Sequence, residues 1–334
     1  MSRGGSFRPY APIVVVALLL ALLPAVVGGS PFYLRLLTQM LVFMALTVAF
    51  NLIFGHTRQL FLCLGALAGT GAYVSVVLTM RLGLSPVLTI PAGMAASAVV
   101  GALFSYASVR RGLGLMFVGI VTLAFSLTFE NLVLGLRDLT HGETGLVTTG
   151  LGLPVMEHRF GAYYVLLAAL VLALIGYEAL VRSRVGLAFR ALSDDDLTAA
   201  LAGVDVARYK MLAAALGSAL LGATGALYAY YNGFISPSIF SLTAIDVVVL
   251  VMLLFGGLAT LLGPVVGGAV FTVVNELVRP LGSLNVLVYG ALMILLFVFR
   301  EPLVAALTRV GRRTAAGVSP RDLAAGRSPR EKVV

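Results

Sequence analysis

Long stretches without a charged side chain dominate the pattern of apolar and polar positions along this chain. A helix that crosses about 30 Å of hydrocarbon at 1.5 Å per residue needs about 20 apolar residues. Nine stretches without Asp, Glu, Lys or Arg approach or exceed this length, at residues 9–34, 36–57, 59–80, 82–109, 112–129, 160–177, 211–245, 247–275 and 280–299. They predict a bundle of membrane helices, because a backbone in lipid must satisfy its own hydrogen bonds and the alternating pattern of a β-barrel is absent.

The stretch 247–275 is interrupted by Gly256, Gly257 and the Gly263-Pro264 pair. We divide it into two short helices, with a re-entrant pair as the alternative. The predicted fold class is all-α, a polytopic integral membrane helical bundle of about 10 transmembrane helices. The predicted spans are about 10–28, 34–54, 61–80, 86–108, 112–134, 161–180, 211–232, 245–260, 264–278 and 284–299.

Basic residues are distributed unequally between the predicted loops. Arg3, Arg8 and a basic tail from Arg300 flank the spans, so the positive-inside rule places both the N and the C terminus in the cytoplasm. Only five of the 23 basic residues then lie outside, namely Arg35, Arg81, Arg137, Arg159 and Arg279. We predict a membrane domain over residues 1–300 and a disordered cytoplasmic tail over residues 301–334, with the first span retained and not cleaved as a signal peptide.

Composition narrows the class of protein further. The 334 residues are 60% hydrophobic and 11% charged, whereas soluble domains are about 25% charged. The net charge of +9 does not indicate nucleic-acid binding, because the cations are spread between apolar stretches and form no basic face. The single cysteine, Cys63, excludes a disulfide framework and a cysteine-based metal site.

The sequence also lacks the patterns that accompany catalysis. His56, His141 and His158 share no metal-ligand spacing, and neither a nucleophile elbow nor a Walker A motif occurs. We therefore predict no enzyme activity, no cofactor and no metal site. Without a Walker A motif the chain cannot hydrolyse ATP itself, so energy for any ATP-driven work must come from a partner.

Two hydrophilic loops separate the spans and are candidate contacts for soluble partners. Residues 135–160 are predicted to lie outside and contain a polar turn from Thr140 to Gly145. Residues 181–209 are predicted to lie inside. There, Ser193 precedes three aspartates and is expected to cap a short surface helix that Gly203 ends.

The inner loop reads RSRVGLAFRALSDDDLTAALAGVDVARYK over residues 182–210. This pattern resembles the coupling-helix loop of bacterial ABC importer permeases, and specifically of the LivM-type branched-chain amino acid permeases. Further similar motifs follow in the family order at Asn51–Gly55, Gly71–Tyr73, Ile120–Phe125, Thr140–Gly145, Gly222–Tyr228, Ser236–Pro237 and Gly256–Pro264. Two positions depart from the family, because Ala66 stands where His is frequent and Arg300-Glu301-Pro302-Leu303 replaces an Arg-Pro-x-Gly-Leu stretch.

The resemblance implies a multi-pass permease subunit in the bacterial inner membrane, importing branched-chain or related amino acids by ATP-driven alternating access. The implied partners are cytoplasmic ABC ATPase subunits, a second, LivH-like permease subunit in a heterodimer, an extracytoplasmic solute-binding protein and membrane lipid. A homodimer of permeases stays open. For the ATPase contact the resemblance implies Ala199, Ala200 and Gly203, with Arg190.

Polar and glycine residues inside the spans are candidates for the translocation pathway, because polar groups are costly in lipid and a broken helix exposes backbone groups to a cavity. They are Asn51, Gly55, Thr122, Gly256 and Gly257. Close helix packing is the alternative explanation for each of them.

Two other functions stay open at this level. One is an ABC permease for another small solute, such as urea, an amide or a sugar. The other is an ion-coupled secondary transporter, which should show internal repeats and paired intramembrane acids. Neither is evident, and Asp246 is expected to be solvated near the membrane surface, so we prefer the ABC interpretation.

Overall fold

The computed structural model describes residues 10–26, 30–148 and 160–278, and most of these residues lie in helices. Six helices are long and apolar enough to cross a membrane: Pro31–Gly55, Leu64–Leu82, Pro86–Arg110, Leu115–Gly135, Gly161–Arg182 and Val206–Asn232. Within the described residues, the prediction of a helical membrane bundle is confirmed. The predicted span 284–299 and the tail 301–334 lie outside the described residues, as does His158.

The helix bounds are α1 (Ala11–Val26), α2 (Pro31–Phe50), α3 (Leu64–Leu82), α4 (Pro86–Arg110), α5 (Leu115–Gly135), α6 (Arg137–Thr140), α7 (Gly161–Arg182), α8 (Arg184–Asp194), α9 (Asp196–Leu201), α10 (Val206–Asn232), α11 (Val247–Gly256) and α12 (Gly263–Val278). Local sequence explains several ends. Pro31 and Pro86 stand in the first turns of α2 and α4, where proline needs no helical hydrogen bond. Gly83 and Gly233 follow α3 and α10 in the left-handed conformation that glycine adopts without strain.

Helix α2 forms the centre of the bundle. Every residue from Met40 to Ile53 is buried, and the helix packs against α7, α10 and α11. A helix that is apolar on every side is stable only when other helices surround it.

In contrast, α4 and α5 expose large apolar side chains such as Leu103 and Phe117, which suits contact with lipid or with another membrane subunit.

Helices α3, α4 and α10 pack closely because small residues line their contacts. The buried face of α4 carries a small residue every four positions, at Thr89, Gly93, Ser97, Gly101 and Ser105. A Cβ atom at Gly222 of α10 would lie only 2.6 Å from the Ser97 Cβ. The backbones can therefore approach only because side chains are absent there.

A short ribbon joins the segment after α5 to the end of α10. Strand β1 (Leu146–Val147) pairs antiparallel with β2 (Phe234–Ile235), with Leu146 opposite Ile235. Both of these residues are buried. The ribbon holds the predicted outer loop against the helical bundle.

Three interruptions of the helices bring irregular backbone into the bundle. A π-helical turn, Asn51–Gly55, extends α2 and is followed by a non-helical segment to Cys63. A 3-10 turn, Pro237–Phe240, and a π-helical turn, Leu242–Asp246, precede α11. The stretch 247–275 is divided between α11 and α12, where the glycine pattern indicated a break. Residues 257–262 between them are called the α11–α12 turn below.

Candidate functional site

The loop after α7 forms two helices in place of the single surface helix that was expected. Helix α8 follows Ser183, whose hydroxyl accepts a hydrogen bond from Val185 N at 3.2 Å. Helix α9 begins after Asp195, whose carboxylate accepts from Thr198 N at 2.8 Å and from Thr198 Oγ1 at 2.7 Å. These hydrogen bonds lower the pKa of Asp195, as expected for an ionised helix cap.

Ser193 is therefore not the cap that the sequence predicted. It lies inside α8, and its hydroxyl donates to the carbonyl oxygen of Arg190 at 2.9 Å. The helix continues to Asp194, and the neighbouring Asp195 supplies a charged acceptor, which is stronger than a serine hydroxyl.

The four candidate residues for the ATPase contact differ in exposure. Ala199 is buried, whereas Ala200, Gly203 and Arg190 are exposed. Gly203 follows α9 with a φ of 85°, and Val204 N donates to the Ala199 carbonyl oxygen at 3.0 Å. Gly203 thus ends the helix as predicted, and the exposed Ala200, Gly203 and Arg190 are accessible to another protein.

Ion pairing holds α9 against the start of α10. Lys210 forms a salt bridge with Asp196. Beside this pair lies a cavity of about 470 Å³, lined among others by Arg58, Gln59 and Lys210 and by the glycine-containing turn 112–115. The loop therefore has a fixed position relative to the bundle and presents charges of both signs.

Helix α8 contacts the end of α2 through aromatic rings. The ring of Phe189 is buried in α8 and stacks on the ring of His56, with centroids 6.0 Å apart and planes inclined by 24°. His56 follows the membrane-spanning helix Pro31–Gly55. Its burial and the nearby Arg190 guanidinium lower the pKa of His56 to about 4, so the ring is neutral near pH 7.

Asn51 lies at the centre of a polar cluster that connects its own helix to α7 and to the α11–α12 turn. Its side-chain oxygen accepts from Ala259 N at 2.8 Å. Its side-chain nitrogen donates to the Tyr177 hydroxyl and to the Thr260 carbonyl oxygen, both at 2.9 Å. Asn51 is fully buried, so these hydrogen bonds replace the water that it lacks.

The glycines near Asn51 make room for this cluster. A Cβ atom on Gly55 would lie 2.2 Å from the Asn51 side-chain oxygen and 2.8 Å from Ala259 N. A Cβ atom on Gly256 would lie 1.8 Å from the Gly263 carbonyl oxygen. Gly257 has a φ of 99°, which favours glycine. The structure therefore brings together four of the five pathway candidates.

Thr122, the fifth pathway candidate, lies at a different place in the bundle. It is buried in α5, where its hydroxyl accepts from Leu62 N at 2.9 Å and donates to the Val118 carbonyl oxygen at 2.8 Å. Thr122 thus fixes the non-helical segment before α3 to α5.

Asp246 contradicts the expectation of solvation near the membrane surface. It is fully buried, and its carboxylate accepts from Gly65 N and from Ser126 Oγ, each at 2.6 Å. The π-helical turn before α11 places it near the start of α3, where free N–H groups and the helix dipole favour an anion. The sequence did contain a signal for this burial, because Asp246 is a lone acid between two long apolar stretches.

Sequence reasoning also missed the roles of His56 and Tyr177. The Tyr177 hydroxyl lies 2.7 Å from His56 Nε2, and both residues are buried. His56 was considered only as a metal ligand, and Tyr177 ends an apolar stretch like many membrane-facing tyrosines. No local pattern indicates that the two side chains meet.

The predicted outer loop is an ordered turn up to its last described residue, 148. Thr140 is buried and donates to the Val133 carbonyl oxygen at 2.6 Å, while Glu143 is exposed. Gly142 and Gly145 have positive φ values of 57° and 68°. The resulting turn presents polar atoms at one end of the bundle.

Comparison with known proteins identifies a family over most of the chain. A protein-family profile described as "Branched-chain amino acid transport system / permease component" matches residues 32–297. No solved structure matches the chain.

Relatives with related names cover most of the chain. The high-affinity branched-chain amino acid transport system permease protein LivM of Salmonella typhimurium is 27% identical, over 84% of this chain and 71% of its own length. LivM of Escherichia coli K12 is 26% identical over 81% and 69%. The "Probable branched-chain amino acid transport permease protein LivH" of Methanocaldococcus jannaschii is 25% identical over 72% and 79%.

Proposed function

Because the chain belongs to the family of permease components of branched-chain amino acid transport systems, we propose that it carries branched-chain amino acids across the membrane by ATP-driven alternating access. It is the permease subunit of an ABC importer and a multi-pass protein of the inner membrane. The observation that carries the proposal is the match over residues 32–297, which includes the Asn51 cluster and the α8–α9 loop.

The proposed topology has ten spans with both termini in the cytoplasm. In it, the six long helices are joined by α1, α11, α12 and the segment 284–299. The α8–α9 loop then lies inside and the Thr140–Gly145 turn outside. The excess of arginines near α8 supports this orientation.

The proposed partners follow from this topology. ATPase subunits would contact the α8–α9 loop through the exposed Ala200, Gly203 and Arg190, with the buried Ala199 positioning α9. A solute-binding protein would contact the Thr140–Gly145 turn. A second, LivH-like permease would cover the exposed apolar sides of α4 and α5. No enzyme activity of the chain itself is proposed.

The proposed pathway passes the Asn51 cluster. Asn51, Gly55, Gly256 and Gly257 surround the α11–α12 turn, where backbone groups are satisfied by a side chain from another helix. Such irregular backbone at membrane depth occurs in transporters where it lines a route for solute. Thr122 is proposed to act only by holding the segment before α3 in place.

Reconstitution in proteoliposomes tests the function. The chain is co-purified with its ATPase subunits and second permease, and uptake of radiolabelled leucine is measured with and without ATP and binding protein. We expect accumulation that requires both, with unlabelled isoleucine and valine competing and urea or sugars not competing. Accumulation driven by a proton or sodium gradient in vesicles that hold this chain alone would contradict the proposal and favour a secondary transporter.

A further inference from the structure

We propose that Asn51, Tyr177 and His56 act as a positioning relay that links helix α8 to the α11–α12 turn, so that displacement of α8 displaces this turn. The inference rests on the proposed function, in which the α8–α9 loop receives the motion of the ATPase. It names the residues through which that motion would reach the pathway.

The first step of the relay is the hydrogen bonding between Asn51 and the α11–α12 turn. Its oxygen accepts from Ala259 N, and its two amide hydrogens point to the Thr260 carbonyl oxygen and to the Tyr177 hydroxyl. The Asn51 oxygen and one of its amide hydrogens thus pair with backbone groups of two turn residues, and the other amide hydrogen pairs with Tyr177. Because Asn51 is fully buried, separating it from the turn would leave its amide oxygen and one amide hydrogen unpaired, and this cost couples the two segments.

The second step is the single hydroxyl hydrogen of Tyr177. This hydroxyl already accepts from Asn51, so its hydrogen has two possible acceptors, His56 Nε2 at 2.7 Å and the Thr260 carbonyl oxygen at 3.4 Å. With the His56 ring proton on Nδ1, Nε2 is an acceptor, and the shorter distance then assigns the hydroxyl hydrogen to His56. Moving His56 away would leave the Thr260 carbonyl as the remaining acceptor, which draws Tyr177 towards the turn.

The third step connects His56 to α8 by direct packing. The His56 ring lies against the Tyr177 ring, with centroids 5.4 Å apart, and stacks on the buried Phe189 ring of α8. Well-packed buried rings transmit displacement because no empty space absorbs it. Gly55 contributes by leaving room for the Asn51 oxygen, since a Cβ atom there would lie 2.2 Å from it.

The substitution Tyr177→Phe removes the shared hydroxyl and keeps the ring. Tyr163→Phe is a matched control, because Tyr163 is buried in the same helix and its hydroxyl donates to the Leu20 carbonyl oxygen at 2.6 Å, away from the relay. In the complete ABC complex in proteoliposomes, we expect Tyr177→Phe to reduce leucine transported per ATP hydrolysed by about tenfold, and Tyr163→Phe to stay within about twofold of wild type. Equal ratios for the two variants would overturn the relay.

A double variant distinguishes the relay from independent structural losses. His56→Phe keeps a ring against Phe189 and removes the acceptor of the Tyr177 hydroxyl. If the residues act as one chain, the double variant with Tyr177→Phe has the same ratio as either single variant. Losses that multiply would overturn the relay. A wild-type complex that hydrolyses ATP without importing leucine would instead contradict the proposed function.

A labelling measurement leaves the three relay residues unchanged and so does not depend on whether their variants fold. Ala259 is exposed in the turn, and the chain's own Cys63 is fully buried, so Ala259→Cys provides a single reactive thiol. We expect its labelling rate in the complex to change by about threefold or more when ATP and vanadate trap the ATPase. A rate that does not depend on nucleotide would overturn the proposal.

Discussion

Asp246 shows how one polar side chain can hold this bundle together. Asp246→Ala would leave the buried Gly65 N–H and Ser126 hydroxyl without their acceptor, at a cost of about 1–3 kcal/mol for each group. We expect a clear fall in the thermal midpoint of the detergent-solubilised protein, and a smaller fall for Asp246→Asn, which keeps one accepting oxygen. Glu143→Ala is the control, since Glu143 is exposed. Asp246→Ala with a wild-type midpoint would refute this anchoring role.

At the scale of helices, small residues decide how closely α3, α4 and α10 can approach. Gly222→Leu would force a side chain into Ser97 and the Gly93 carbonyl oxygen, so we expect little folded protein in the membrane. Gly176→Leu in α7 is a matched control, because nothing lies within 4 Å of its added Cβ. Fluorescence-detected size exclusion measures both. Similar yields of the two variants would show that the close approach is not required.

Helix α9 offers a second prediction at this scale, on coupling. Ala200 is exposed, so Ala200→Glu adds charge and bulk to the surface without disturbing the fold, whereas Ala200→Ser adds no charge and only one oxygen atom. We expect Ala200→Glu to reduce leucine uptake by about tenfold at normal abundance. Uptake and ATP hydrolysis are measured together. Normal uptake by Ala200→Glu would show that this face of α9 does not contact the ATPase.

For the whole molecule, the testable property is its orientation in the membrane. Ala202→Cys next to α9 and Glu143→Cys in the Thr140–Gly145 turn are both exposed positions at the two predicted sides. In right-side-out membranes, a membrane-impermeant thiol reagent should label Glu143→Cys and should label Ala202→Cys only after permeabilisation. The buried Cys63 serves as background. The reverse pattern would invert the proposed topology.

Several properties of the protein could be predicted from the sequence alone because they depend on composition and on neighbours in the chain. The apolar stretches indicated a helical membrane protein, and the glycines at 256 and 257 marked the break between α11 and α12. Gly203 indicated the end of α9 for the same reason, since a left-handed residue is a local requirement. The cap of α9 was assigned to Ser193 because two neighbouring polar residues compete for that role, and only the backbone geometry selects Asp195.

Only the tertiary structure decided which distant segments meet. Asn51 bonds to Ala259, 208 positions later, and Asp246 bonds to Gly65, 181 positions earlier. An apolar stretch predicts that a helix enters the membrane, but it does not predict which neighbouring helix that helix packs against. Buried polar side chains therefore look alike in the sequence, and their partners are determined when packing removes water and brings donors and acceptors from distant segments together.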